Sequence, residues 1–391
     1  MTTRRTMKVV AAFGLAGMIA TACSSDAKKA ATTAASTGTG TCANATAPKG
    51  DKVTLQLQWF AQSQFGGYYA AVDQGFFKDA GIDVTIAEGS VSIVPADQIT
   101  NGSADFAISW VPKALASREA GAKIVNIGQI FQRSGTLQVS LKDKNITKPA
   151  DFKGKKIGNW GFGNEYEIFA ALAKDKLDPA KDVTLVGQNF DMNGLLSGEI
   201  DAAEAMIYNE YAQVLEAKNE KTGKLYTADD LNVISYEQAG VGMLQDAIWA
   251  NETKLTDPAY CGKAVALLKG AIKGWAYCRD NAAKCRDIVV SKGSKLGAGH
   301  QLWQMNEVNG LIWPSANGAG MIDSAAWDRT VGIASGTKNL EGKTVLTKAP
   351  DATAYTNDLV KMALADLDKA GVDTKGANFK KATVEVTAGG A

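Results

Sequence analysis

Residues 55–89, LQLQWFAQSQFGGYYAAVDQGFFKDAGIDVTIAEG, constrain the fold more than any other part of the chain. Leu55 and Leu57 alternate with Gln56 and Gln58, the period of two that sends successive side chains to opposite faces of a strand. From about Gln64 the residues Phe65, Tyr68, Tyr69, Val72 and Phe76 recur at helical spacing, and Gly75 and Gly81 punctuate the end before a second strand at 82–86. Strand, helix and strand in succession predict a parallel sheet. In open sheets of that kind, ligands sit beyond the carboxyl ends of the strands and near helix N-termini. Trp59, Gln64, Tyr68 and Tyr69 fall there, although aromatics at helical spacing are as often core. Two successive tyrosines cannot both face one way on a helix.

The alternation continues. A helix opens at Pro95 and ends at Asn101-Gly102; 104–110, ADFAISW, is an apolar strand; 111–119 is a helix with Pro112 in its first turn. Strand 124–131 is broken by Gln132-Arg133-Ser134-Gly135, and 136–141 resumes extended, as a chain crossing between lobes does. Strands at 156–160, 183–187, 201–206 and 231–235 follow, with helices between them, and 240–245 reads as the return crossing. The remainder is helical: 258–277, 282–292, 301–311, 325–334 and 355–370. One lobe is therefore expected from 53–136 and 246–391 and the other from 137–245. Two crossings near Gly135 and Gly242 make a hinge that permits closure around a ligand.

The motifs Trp59, Gln64-Phe65-Gly66-Gly67-Tyr68-Tyr69-Ala70, Gly75-Phe76-Phe77 and Gly81-Ile82-Asp83-Val84 resemble the opening of the thiamine-precursor-type periplasmic binding proteins. Asp151-Phe152-Lys153-Gly154-Lys155-Lys156-Ile157-Gly158 is similar to the motif that precedes the first strand of that family's second lobe. The resemblance runs from about Val53 to about Val372 and is specific for the family rather than for a ligand. It implies an α/β, two-lobed periplasmic binding protein fold of type II, each lobe a doubly wound sheet. It also implies a solute receptor for an ABC importer, with permease subunits as partners and no cofactor. Relatives bind formylaminopyrimidine, riboflavin, taurine or alkanesulfonates.

The N-terminus has its own logic. Arg4, Arg5 and Lys8 precede an apolar run, 9–20, too short to span a bilayer, and Ile19-Ala20-Thr21-Ala22-Cys23 resembles a lipobox. A signal peptide over 1–22 and lipidation of Cys23 are expected, with an ordinary signal peptide as the alternative. The Ser-, Thr-, Ala- and Gly-rich tract that follows cannot bury enough apolar surface to fold, so 23–52 reads as a disordered tether and the protein as exported and lipid-anchored. With Cys23 lipidated, an even number of cysteines remains. Cys278 and Cys285, with six residues between them across a predicted turn, can be bridged; Cys42 and Cys261 are the leftover pair. No CxxC pair and a single histidine, His300, leave no metal site. Charges nearly balance, 42 basic against 41 acidic, which predicts no nucleic-acid partner; a monomer is expected.

The sequence carries no phosphate loop and no Gly-x-Ser-x-Gly elbow, and His300 has no evident catalytic partner, so it reads as a surface or helix-end residue. A eukaryotic branch of the resembled family makes the thiamine pyrimidine with a cysteine cluster; here the matching loop is Gly161-Phe162-Gly163. A binding role is expected, not an enzyme, and a membrane sensor would need a membrane-spanning helix after the domain. Doubly wound lobes would converge Trp59, Gln64, Tyr68, Tyr69, Ser109, Trp110, Gln132 and Arg133 on Trp160, Phe162, Asn164, Glu165, Asn189, Asp191, Tyr208 and Glu210. Aromatic walls suit a planar heteroaromatic ring, and a carboxylate can pair with its amine and ring nitrogen. A sulfonate or taurine-type anion is the alternative, which Glu165 and Glu210 oppose unless they only decorate helix N-termini. Glu210 is the favoured acid, since Tyr208-Asn209-Glu210 matches the resembled family's Asn-Glu motif.

Overall fold

The computed structural model describes residues 42–391 apart from Phe162. The expected signal peptide, Cys23 and most of the expected tether lie outside the described residues.

The first lobe opens with β1 (Asp51–Gln56), α1 (Gly66–Asp73), α2 (Phe76–Asp79), β2 (Ile82–Ala87), α3 (Pro95–Thr100), β3 (Phe106–Trp110), α4 (Val111–Glu119) and β4 (Ile124–Gln129). The second holds β5 (Thr136–Leu141), β6 (Lys156–Asn159), α5 (Tyr166–Lys174), β7 (Thr184–Gly187), α6 (Asn193–Leu196), β8 (Ala202–Met206), α7 (Glu210–Leu215) and β9 (Leu231–Ser235). The chain then returns through β10 (Asp246–Asn251) to α8 (Pro258–Asp280), α9 (Ala282–Ser291), α10 (Ala298–Ile312), α11 (Ser324–Gly336) and α12 (Asp358–Lys369). The two five-stranded sheets have the orders β2-β1-β3-β10-β4 and β7-β6-β8-β5-β9.

Neither sheet is wholly parallel, which corrects the expectation from strand–helix alternation. β1 pairs parallel with β2 and β3, but β10 runs antiparallel between β3 and β4. In the other sheet β5 lies antiparallel between β8 and β9. The reason is topological: β5 and β10 follow the two crossings, so each enters its sheet from the hinge side, against the strands laid down by helical crossovers. The predicted single helix from Gln64 to Phe76 is also divided. Gly75 has φ of 75°, a left-handed conformation that ends α1 and starts α2.

The long α8 is the spine of the first lobe. Tyr68 packs edge-on against Trp275, ring centroids 5.8 Å apart, and a side chain at Gly67 would overlap the Trp275 indole. This close approach explains the paired glycines at the start of α1. Residues 42–52 are not a free tether, contrary to expectation. Cys42 is buried and bonded to Cys261 in α8, Thr46 N–H donates to Pro258 C=O at 2.9 Å, and Asp51 and Lys52 are already in β1. A side chain at Gly262 would strike Thr46 C=O. Cys278 and Cys285 are joined across the α8–α9 corner, their Cα atoms 5.2 Å apart.

The chain reaches the second lobe a second time, by a third passage between the lobes. Beyond α12 it runs back along α10, where Lys381 Nζ meets Glu307 Oε2 at 2.6 Å and Ala382 pairs with Asn306. Gly389 N–H then donates to Glu216 C=O at 3.1 Å, and Val386 packs beside the Leu137–Val139 core of the second sheet. None of the described helices is long and apolar enough to cross a membrane.

Candidate functional site

A cleft of about 500 Å³ opens where the carboxyl ends of the strands from both sheets face each other. β1 delivers Gln58 and Trp59; the loop after β2 delivers residues 90–95; β3 delivers Ser109 and Trp110, and α4 adds Lys113 and Ser117. Across the cleft, β6 delivers Trp160 and Asn164, β7 delivers Phe190, and β8 delivers Met206, Tyr208, Asn209 and Glu210. Strand ends carry these side chains because a helix must leave each strand at that edge, and the connecting loop is free of ladder hydrogen bonds.

One wall is aromatic. Phe190 of the second lobe lies 5.2 Å from Trp59 of the first, and stacks on Trp160 with centroids 6.0 Å apart and planes 24° apart. Phe190 is 45% exposed, a large apolar ring left at the mouth of the cleft.

The floor is a polar net around Asp246, the first residue of β10. Gln64 Nε2 donates to both of its oxygens, at 3.0 and 3.2 Å, and Gln58 Nε2 also donates to Oδ1. Gln58 Oε1 in turn accepts from Trp110 N–H at 3.2 Å. Burial pushes the Asp246 carboxyl up to about 7, against the pull of the Gln64 amide. Glu210, at the start of α7, is likewise buried and pushed up to about 7, although Oε2 accepts from Met206 N–H at 2.9 Å and Oε1 from Asn209 Nδ2 at 2.7 Å. Glu204 is fully buried; its Oε2 accepts from Trp160 N–H and its Oε1 has no partner, so burial holds its carboxyl well above the usual range.

Of the residues singled out in the sequence, Trp59, Gln64, Ser109, Trp110, Trp160, Asn164, Tyr208 and Glu210 line this cleft. Phe162 lies outside the described residues. Tyr68 and Tyr69 do not line it: α1 is buried on every side, so both successive rings are core, 1% and 5% exposed. Arg133 turns the other way and caps α10, donating to Leu311 C=O at 3.2 Å and Pro314 C=O at 2.7 Å. Gln132 donates to Gln129 and Met321 carbonyls. Glu165 Oε2 accepts from Gly163 N–H inside its own loop, and Asp191 Oδ1 from Asn193 N–H ahead of α6. Asn189 is exposed and contributes its carbonyl to Trp160 Nε1.

His300 stands at a helix start as expected, in the first turn of α10, but it is not a surface residue: it is buried between the lobes, held by Glu216 and Asn209. Gln58, Lys113, Phe190 and Asp246 were missed. Their signal was positional, since each stands within three residues of a strand end or opens a strand. Among the described residues no group of His, Cys, Asp or Glu side chains is arranged to hold a metal.

Two mixed sheets joined by hinge crossings, with the cleft between their strand ends, define the fold of the type II periplasmic binding proteins. The alkanesulfonate-binding protein SsuA from Xanthomonas axonopodis pv. citri shares it, with a TM-score of 0.54 and 14% identity over 80% of this chain and 100% of that one. The chain belongs to the NMT1/THI5-like family, whose model matches residues 62–284. A formylaminopyrimidine-binding protein of Halalkalibacterium halodurans is 20% identical over 62% of this chain and 70% of its own length. A 4-amino-5-hydroxymethyl-2-methylpyrimidine phosphate synthase of Aspergillus parasiticus is 27% identical over 48% of this chain. The chain spans about half that enzyme, 54% of its length.

Proposed function

We propose that this protein is an extracytoplasmic solute-binding lipoprotein of an ABC importer and that it captures a planar, nitrogen-containing heteroaromatic ring between its lobes. The observation that carries the reading is the aromatic wall of Trp59, Phe190 and Trp160, facing polar groups that include the Glu210 carboxyl. Such rings stack with a gain of about 0.5–1.5 kcal/mol per pair beyond area burial. A carboxyl held near neutrality can accept from an exocyclic amine or donate to a ring nitrogen. The name of the formylaminopyrimidine-binding relative points the same way.

In this reading the first lobe is 53–136 with 246–391 and the second 137–245, closing through the crossings at Gly135 and Gly242. Cys23 carries the lipid, the protein acts as a monomer, and permease subunits receive the loaded form. It is a receptor and not an enzyme, because the cleft pairs aromatic faces with amides and capped acids and, among the described residues, sets no nucleophile against a base. A sulfonate receptor is less favoured, since Glu210 lines the cleft and Asp246 lies just behind it, bonded to the lining residues Gln58 and Gln64.

Thermal-shift screening against vitamins and their pyrimidine, pyridine and flavin precursors tests the proposal. A ligand at a hundred times its Kd stabilises by about 2.7 kcal/mol, a readily measured shift. Preference for an aliphatic sulfonate over every aromatic ring would overturn it. Mass spectrometry of the mature protein checks lipidation at Cys23.

A further inference from the structure

Lys113 stands in the first turn of α4 and lines the cleft, where a lysine is out of place on ordinary grounds. The N-terminal turn of a helix carries partial positive charge, so a cation there is disfavoured unless something negative faces it. Among the described residues Lys113 forms no ion pair and no hydrogen bond; its ammonium rests 5.0 Å from the centre of the Trp110 ring. Burial draws its pKa below the usual lysine range, partly offset by the fields of Glu204, Glu165 and Asp246.

None of those three acids takes the ammonium as a partner. Asp246 is engaged by Gln58 and Gln64. Glu165 is turned to Gly163 N–H. Glu204 is sealed behind the Trp160 backbone, its Oε2 accepting from Trp160 N–H, and burial raises its pKa well above the usual carboxylate range. Ser117 lies one turn further along α4, on the same helix face, and lines the same cleft. A cationic donor and a hydroxyl thus share a helix face beside an aromatic wall.

We infer that the ligand's ring carries an oxyanion substituent, a carboxylate or a phosphate, and that Lys113 and Ser117 receive it. The inference rests on the ring reading above and narrows it: Glu210 reads the nitrogen-bearing edge from the second lobe while α4 reads the charged substituent from the first. The ligand is then bound at both ends by opposite lobes, and a neutral analogue lacks one of the two anchors.

Calorimetric titration with matched pairs tests this: 4-amino-5-hydroxymethyl-2-methylpyrimidine against its phosphate ester, riboflavin against flavin mononucleotide, and nicotinamide against nicotinate. The first two pairs report phosphate and the third carboxylate, and ethanesulfonate serves as a ring-free anion. In at least one pair the anionic member should bind about tenfold to a hundredfold more tightly, the worth of a charge-assisted hydrogen bond. Lys113→Met should abolish that preference by weakening the anionic member far more than the neutral one, and Lys113→Arg should retain it. Circular dichroism and the melting temperature confirm that both variants fold.

If neutral rings bind as well as anionic ones, the inference is overturned and the ring receptor stands. If Lys113→Met weakens neutral and anionic members alike, Lys113 instead holds the shape of the cleft wall through its contact with the Trp110 ring, and the inference is again overturned. If only ethanesulfonate binds, the ring reading fails; Lys113 keeps its role as anion anchor if Lys113→Met abolishes that binding and loses it otherwise. Binding by none of them overturns both.

Discussion

His300 in α10 lies against Glu216 just beyond α7, with Nδ1 2.9 Å from Oε1 and 3.0 Å from Oε2. Its other nitrogen, Nε2, is 2.9 Å from Asn209 Oδ1. Because Asn209 Nδ2 donates to Glu210, its oxygen is the atom turned to the imidazole. Nε2 is therefore the donor to Asn209 Oδ1, while Nδ1 faces the Glu216 carboxyl. A chain of hydrogen bonds leads from the cleft, through Glu210 and Asn209, to the one histidine in the sequence and on to Glu216.

Replacing His300 should loosen the contact between the lobes. His300→Ala strands a buried carboxylate and an amide oxygen, and loss of a charged hydrogen bond costs about 1.5–3 kcal/mol. Urea unfolding should show a lower midpoint and an unfolding free energy reduced by that amount. An unchanged midpoint would mean the relay contributes nothing to stability.

Glu210→Gln should weaken ligand binding by about tenfold to a hundredfold, because a neutral amide lacks the negative charge with which the carboxylate accepts from an amine and a protonated ring nitrogen. Trp59→Ala should weaken it as well, through lost stacking and buried area. Calorimetry with the ligand found by screening decides the matter. Affinity and melting temperature both unchanged in Glu210→Gln would reduce Glu210 to a cap for Met206 N–H and α7.

Stability should fall as pH rises from about 5 to about 8. Burial pushes Asp246, Glu167 and Glu210 each up to about 7, and Glu204 well above its ordinary value. Unfolded, these groups titrate near ~4. Between those limits the folded protein holds protons that the unfolded chain releases, so their contribution is complete at the acid end and is lost on passing through about 7. A loss on the order of a few kcal/mol is expected, and Asp246→Asn should flatten part of the slope. Melts at constant ionic strength across this range provide the check; a midpoint that climbs with pH contradicts the account.

The two disulfides should differ in worth. Cys42 and Cys261 are 219 residues apart in sequence, Cys278 and Cys285 only 7. Loop entropy gives about 5 kcal/mol for the long loop and about 2.5 kcal/mol for the short one. Cys42→Ser with Cys261→Ser should therefore lower the melting temperature more than Cys278→Ser with Cys285→Ser. The opposite order would show that native packing, not chain entropy, governs both.

Much of the fold was legible because its signals are local. The strand at 136–141 and the helix at 111–119 coincide with β5 and α4 to the residue, since apolar runs bounded by Gly, Pro and polar clusters mark such elements directly. Strand direction was not legible: β5 and β10 are buried almost throughout, and their side-chain patterns read the same in either direction. The site was legible wherever an aromatic closed a strand, as at Trp59, Trp110 and Trp160. It was illegible where function depends on what lies opposite. Tyr68 and Arg133 carry suitable chemistry, but Trp275 and the end of α10 claim them. Lys113 carries no signal in the sequence beyond its place near a strand end, because it becomes a cleft residue only through the second lobe standing across from it. His300 had no sequence partner because Glu216 and Asn209 come from the other lobe.

The Cys42–Cys261 bond also sets how mechanical load enters the protein. A pull on the residues ahead of Cys42 reaches the fold through that sulfur pair and so through α8, not through β1. Peeling β1 from its sheet one hydrogen bond at a time is thereby bypassed. The load falls on a 23-residue helix braced by α1, α2, α9 and α12, and would have to shear that whole layer at once. Tension along the leading chain thus leaves the strand ends that form the cleft in register.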